Sequence, residues 1–242
     1  MVKADVWKGS KLASAYPRDV RGGIPFGAEQ IEIALRVAHQ WLPEARSIVD
    51  LGCGDGIVGE AALRVWPSAE LTLVDFSPRM LEGARERFGL RENIRTVEAD
   101  FGDPSWTARL GERFRAGLVL SAYAIHHQED DRKQSLYREI FDLLEPGGVF
   151  LNIEHVSSPT SAVAQLNDEL FIDTLTAHQR AQGSTLSREE IAQQFYFRPD
   201  KAANRLAPVE SQLDWLRELG FADVDCFFKA FELAVFGGRK PE

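Results

Sequence analysis

The sequence predicts an α/β fold: a doubly wound, Rossmann-like, mostly parallel sheet. Three observations predict it. Between residues 47 and 153 short β-branched or aliphatic runs alternate with helical patterns, the mark of parallel strands joined by helical crossovers. Successive runs end in acids, at Asp75 and Asp100, where open α/β sheets bind ligands at the carboxyl ends of their strands. A glycine-alternating turn, Gly52-Cys53-Gly54-Asp55-Gly56, joins the first run to the first helix.

Taken in order, strands are expected at 47–51, 71–75, 94–99, 117–121 and 148–153, and helices at 57–66, 78–88 and 130–144. The last helix is closed by Glu145-Pro146-Gly147-Gly148, since proline and glycine end helices. The stretch 157–205 breaks the rhythm, reads as mostly helical with no strand, and is expected to be an inserted cap. A helix at 208–219 ends at Gly220, and two closing strands follow at 221–231 and 232–236. With no repeat or linker in sight, the whole chain, 1–242, is expected to be one domain, with an N-terminal lid at about 1–45.

Composition bounds the function. The chain has 242 residues, 44% of them hydrophobic and 27% charged, which suits a folded domain with a full core. Its formal charge of −9 argues against a broad nucleic-acid footprint, which needs clustered cations, and favours a small-molecule substrate. Two cysteines, one inside the glycine turn, make a disulfide unexpected and point to a reducing cytoplasm. No apolar run approaches the roughly 18 residues of a membrane span, so no membrane role is expected.

The turn from Asp50 to Gly56 lets backbone approach a ligand closely, although glycines there can equally serve only as a tight connection. A dinucleotide fingerprint would need its third glycine at position 57, which is Ile57, so the nicotinamide reading loses ground. Asp50 can favour an ammonium group. Asp75 follows at about the 20-residue spacing of a ribose-binding acid. A helix N-cap is the rival role for Asp75, but Ser77 can fill it. Asp100 can accept from an adenine amino group, and Phe101 can lie against a purine face.

Together with Ser121-Ala122-Tyr123-Ala124-Ile125-His126-His127 and Leu144-Glu145-Pro146-Gly147-Gly148, these motifs resemble the class I S-adenosylmethionine-dependent methyltransferases from about residue 47 onward. The resemblance implies a seven-stranded sheet with an antiparallel last strand and S-adenosylmethionine as cofactor. It further implies that Gly52, Cys53 and Gly54 hold the methionine part, Asp75 with Phe76 the ribose, and Asp100 with Phe101 the adenine. Backbone contacts would come from Ser121 and Ala122. The stretch 214–238 is similar to the subgroup containing carboxy-S-adenosylmethionine synthases, where an arginine grips the extra carboxylate; Arg205 stands in the matching place and is otherwise a surface arginine.

Candidate residues for the acceptor are His126, as base or positioning group, and Tyr123. For His126 the rival role is packing under the cap, and for Tyr123 a place in the core. Adjacent histidines diverge and lack a ligand cluster, so no metal is expected. Tyr16, Arg18 and Arg21 of the lid and Phe195, Tyr196, Phe197 and Arg198 of the cap are expected to shape the substrate pocket; the cap residues serve equally well as homodimer contacts.

Overall fold

A computed structural model describes residues 21–198, 201 and 203–242, and of Arg21 only the backbone. Tyr16, Arg18 and the side chain of Arg21 therefore lie outside the described residues. Seven strands form one sheet: β1 (Ser47–Leu51), β2 (Glu70–Asp75), β3 (Ile94–Glu98), β4 (Ala116–Ala122), β5 (Leu144–His155), β6 (Ala222–Ala230) and β7 (Leu233–Arg239). Their order is β3-β2-β1-β4-β5-β7-β6. The pairs among β1 to β5 are parallel, and β7 runs antiparallel to both β5 and β6, as expected of the last strand.

Helices α2 (Ile57–Val65) and α3 (Pro78–Phe88) cross over on one face with α1 (Gly27–Trp41), whereas α4 (Asp130–Leu143) and α7 (Val209–Leu219) cover the other. Strand alternation divides the core accordingly. Ile48, Leu71, Leu73, Leu118 and Leu120 meet Ala34, Ala38, Ala62 and Leu81 on the first face. Val49, Leu51, Val119 and Phe150 meet Tyr137, Ile140 and Leu216 on the second. Because strand order reverses between β1 and β4, the loops leaving these two strands diverge and open a crevice at their carboxyl ends.

Three boundaries differ from expectation. Part of the expected lid is α1, whose Gln30, Ala34, Leu35 and Ala38 are buried. Strand β5 begins at Leu144, directly after α4, because Leu144 already pairs with Ala116; the proline and glycines sit in an irregularity where the register shifts before Leu118 meets Val149. Gly147, at φ 76, donates its N–H to the Lys240 carbonyl, and Lys240 returns one to Gly148. Strand β7 runs on through Gly237, where a Cβ would stand 2.0 Å from the Phe150 carbonyl oxygen, so glycine there allows strand contact rather than marking a turn.

The cap is helical, with α5 (Ser161–Ala181), the short α6 (Arg188–Ile191) and a π turn at Ala192–Tyr196. It packs on a small core of its own, Ile172, Leu175, Ile191, Ala192 and Tyr196, joined by Phe171 and Phe195. Helix α5 also grips the turn Arg21–Gly23: a Cβ on Gly22 would meet the His178 ring at 2.2 Å, and one on Gly23 would meet Leu175 at 2.4 Å.

Candidate active site

A cavity of about 680 Å³ occupies the crevice, a volume suited to small-molecule ligands. One side is walled by the loops after β1, β2 and β3, through Asp50, Gly52, Cys53, Gly54, Asp75, Phe76, Asp100 and Phe101.

The glycine loop is shaped by positive φ: Gly52 at 70°, Gly54 at 55° and Gly56 at 85°. At Gly52 a Cβ would fall 2.3 Å from the Ala124 Cβ, so the loop packs backbone against the segment after β4. The N–H groups of Gly52 and Cys53 donate to the Val74 carbonyl at 2.8 and 3.0 Å, tying the loop to the end of β2. Asp50 is buried, and its Oδ2 accepts the Gly59 N–H at 2.8 Å, near the positive end of α2.

Asp75 is buried beside this loop and accepts two backbone N–H bonds, from Gly54 at 2.9 Å and Ser77 at 2.8 Å. Ser77 itself caps α3 by accepting the Met80 N–H, so the capping role falls to it rather than to Asp75. Asp100 is exposed and accepts the Gly102 N–H at 2.8 Å. Phe101 is buried, with its ring edge 3.3 Å from where a Gly52 Cβ would be.

The opposite wall is formed by Gly22, Ile24, Gly27, Ile31, Ala122, Tyr123, His127, Ile153, Ala203 and Arg205. Tyr123 holds φ 51, a strained conformation for a non-glycine residue. Its hydroxyl donates to the Oε1 of buried Gln30 at 2.8 Å, and Gln30 donates in turn to the Pro25 carbonyl, which anchors the chain before α1 to the cavity. The Arg205 Nε donates to Glu129 Oε1 at 2.8 Å, and the Arg205 N–H donates to the His126 carbonyl at 2.7 Å. The Arg205 carbonyl accepts from Lys133, a buried lysine that also donates to Asp130 at 2.6 Å.

Four expectations need correction. His126 does not line the cavity: it turns inward, with Nδ1 2.5 Å from Oε1 of buried Glu154, and His127 faces the cavity instead. The two residues share a 3-10 turn, Ile125–His127, and their rings touch, but only His127 reaches the cavity wall. Ser121 is also absent from the wall, because its Oγ donates to the Leu51 carbonyl at 2.9 Å and joins β4 to β1. Phe195, Tyr196, Phe197 and Arg198 do not line the cavity either; Phe195 and Tyr196 serve the cap's own core. The Arg205 side chain reaches the cavity, yet its guanidinium is already ion-paired with Glu129 rather than aimed at a vacant anion site.

Burial sets the protonation states under this wall. The His127 imidazole is held down to about 3 by burial and by the neighbouring His126. His126 is likewise held well below its usual range, by burial and then by His155 and Lys133. Burial pushes the Glu154 carboxyl up to about 7. An uncharged His127 offers the cavity a polar ring without repelling a cationic ligand.

The model of a methyltransferase domain matches residues 48–148, the stretch from β1 into β5 that carries the glycine loop, Asp75 and Asp100. The carboxy-S-adenosyl-L-methionine synthase of Aeromonas hydrophila is 27% identical over 230 residues, covering 91% of this chain and 85% of that protein. These matches support a class I S-adenosylmethionine-dependent methyltransferase. The ribosomal RNA large subunit methyltransferase G of Shewanella pealeana is 33% identical over 133 residues, but the chain spans only 32% of its length. In fold, the N-methyltransferase NodS of Bradyrhizobium japonicum, solved with S-adenosyl-L-homocysteine, superposes with a TM-score of 0.59 at 16% identity, covering 100% of this chain and 94% of that one.

S-adenosylmethionine is the cofactor that these matches support. The donor set fits it. Three carboxylates, Asp50, Asp75 and Asp100, stand along one wall beside a loop stripped of Cβ atoms, with Phe76, Met80 and Phe101 as apolar surfaces. Acids suit a ligand with an ammonium group, a diol and an exocyclic amine, and among the described residues of this wall no cation is set for a phosphate. Met80, Ile24, Ile31 and Glu129 carry no signal in the sequence, and His127 stands out there only as one of two adjacent histidines. The Gly22-Gly23 pair and Pro25 signal a turn in sequence, but nothing local says that it closes a cavity against the distant Tyr123. Among the described residues, no group of three or more His, Cys, Asp and Glu is placed to hold a metal.

Proposed function

We propose that this methyltransferase transfers its methyl group to a small-molecule acceptor held between the loop after β4 and the segment leading into α1. The observation that carries the reading is the continuity of the cavity, which runs from the carboxylate wall to the apolar one of Ile24, Ile31, Tyr123 and Ile153. The bound cofactor supplies an electrophilic methyl group on a sulfonium. The chain's part is then to bind, orient and exclude water, which is catalysis by proximity.

In this reading Gly52 to Gly54 and Asp50 take the methionine part, Asp75 and Phe76 the ribose, and Asp100 with Phe101 the adenine. Ile24 and Ile31 cover the acceptor, Tyr123 positions it, and His127 takes the acceptor-facing role first expected of His126. The formal charge of −9 supports a small acceptor over a polynucleotide, and two free thiols support a reducing, cytoplasmic setting. We read the chain as one domain with the cap as an insertion in it. The test is S-adenosylhomocysteine release with a panel of small hydroxyl, amine, thiol and carbon acids set against total RNA. Turnover with a small molecule is expected, and turnover confined to RNA overturns the assignment.

A second reading, a carboxylated cofactor made or used at the same site, is favoured by the near full-length similarity to the Aeromonas synthase and by Arg205 on the cavity wall. It requires the guanidinium to exchange Glu129 for a ligand carboxylate. Native mass spectrometry of the co-purifying ligand separates the two.

A further inference from the structure

We propose that Glu154 and His126 act together as a buried counter-charge to the cofactor's sulfonium and hold the proton that the acceptor gives up on methylation. The proposal rests on the methyl-transfer reading of the cavity. Glu154 lies on β5 with 1% of its surface exposed, and its Oε1 approaches the His126 Nδ1 to 2.5 Å while also accepting the His155 N–H at 2.8 Å. The His126 ring packs against that of His127 at a tilt of 52°, centroids 4.1 Å apart, and His127 lines the cavity. The pair therefore sits one ring beneath the wall.

The other groups around the pair are committed elsewhere. His155, whose ring is 5.8 Å from that of His126, pairs with Glu232 at 2.8 Å, and Glu232 also accepts from Asn167 of the cap. From α4, Lys133 donates to Asp130 and to the Arg205 carbonyl, and the Tyr137 hydroxyl donates to Gln212 at 2.6 Å. Asn152 donates to Glu154 Oε2 at 3.3 Å but brings no charge. With His126 neutral, an ionised Glu154 leaves one net negative charge in a medium of low dielectric, where a fixed cation in the neighbouring cavity is strongly felt.

Methyl transfer changes that field. The acceptor's lone pair forms the new bond to the methyl carbon, and the carbon–sulfur electron pair stays on sulfur, leaving a neutral thioether. The acceptor's proton remains to be placed. His127, held at about 3, does not retain it, whereas Glu154, pushed up to about 7 by burial, does so once the sulfonium charge has gone. Cation and proton replace one another, and the charge of the buried site is the same before and after.

Titration calorimetry at pH 7, in buffers of low and high ionisation enthalpy, counts protons on binding S-adenosylmethionine and S-adenosylhomocysteine. A group with its midpoint near 7 is half protonated there, so S-adenosylmethionine is expected to expel up to about half a proton more than S-adenosylhomocysteine. Glu154→Gln should abolish that difference while both ligands still bind. Should the variant fail to fold, carboxyl 13C spectra of the wild type give the same answer, as a Glu154 midpoint at least about one unit higher in the thioether complex than in the sulfonium complex. Equal proton counts for the two ligands, equal midpoints, or a difference that persists in Glu154→Gln overturn the proposal. Failure of both ligands to bind overturns instead the methyl-transfer reading on which it stands.

Discussion

Asp75→Ala should lower both stability and cofactor affinity, and the structure says by how much. The carboxylate accepts the Gly54 and Ser77 N–H groups at 2.9 and 2.8 Å within a residue that is 6% exposed. Alanine leaves both donors without this partner. A buried donor robbed of a charged acceptor costs about 1–3 kcal/mol, and water entering from the cavity offsets part of that, so a loss of about 3 kcal/mol is expected. For a chain of this size each kcal/mol moves Tm by about 2–4 °C, giving a fall of about 6–12 °C. Affinity for S-adenosylhomocysteine should drop more than about tenfold, or 1.4 kcal/mol, as the ribose diol loses a charge-assisted acceptor. Differential scanning fluorimetry and titration calorimetry read the two effects separately. A folded variant with unchanged affinity refutes the ribose assignment, and one with unchanged Tm refutes the claim that Asp75 holds the glycine loop.

Gly52→Ala should destabilise by about 2–4 kcal/mol, from the left-handed φ of 70° and a methyl placed 2.3 Å from the Ala124 Cβ; urea denaturation checks it, and an unchanged midpoint would refute the packing. Tyr123→Phe should cost about 1–2 kcal/mol by removing the donor to buried Gln30, again read from the urea midpoint. His126→Gln should affect folding more than acceptor KM, whereas His127→Gln should raise KM or lower kcat with little change in Tm, because only His127 faces the cavity. The Glu154 carboxyl is raised from 4.5 to about 7, so its contribution to stability is full below about pH 4.5 and lost as pH rises through 7. Glu154→Gln should therefore gain on the wild type between pH 5 and 8, by on the order of 3 kcal/mol, in paired thermal melts; a constant difference would sink this.

The parallel half of the sheet was legible because its signals are local. An aliphatic run, an acid at its end and a glycine turn each lie within ten residues, and β1, β2 and α3 fall within a residue of expectation. That Asp50, Asp75 and Asp100 share one cavity followed for the same reason, since the ends of neighbouring parallel strands are brought together by topology alone. What sequence did not carry is side-chain direction in irregular backbone. In the 3-10 turn Ile125–His127 neither period 2 nor period 3.6 applies, so the choice between His126 and His127 was made by Glu154, which is 28 residues further along the chain. Cap aromatics looked like pocket walls because exposure and burial in a second small core read alike in sequence. Helix α1 was hidden behind Gly22, Gly23 and Pro25, breakers that precede it closely.

The reversal of strand order between β1 and β4 separates two inheritances. Every residue proposed to touch the cofactor hangs from β1, β2 and β3, on one side of that reversal and inside the stretch 48–148 that matches the methyltransferase domain. Ile24, Ile31, Ala203 and Arg205 lie outside that stretch, and the α5 residues that clamp Gly22 and Gly23 do as well. Substitutions in α1, in the cap or around Arg205 can thus reshape the acceptor wall while the carboxylates opposite keep their hydrogen bonds. A lineage with this sheet is able to change its substrate without relearning its cofactor, and the variants to screen for altered acceptors are those facing Asp75 from across the crevice, not those beside it.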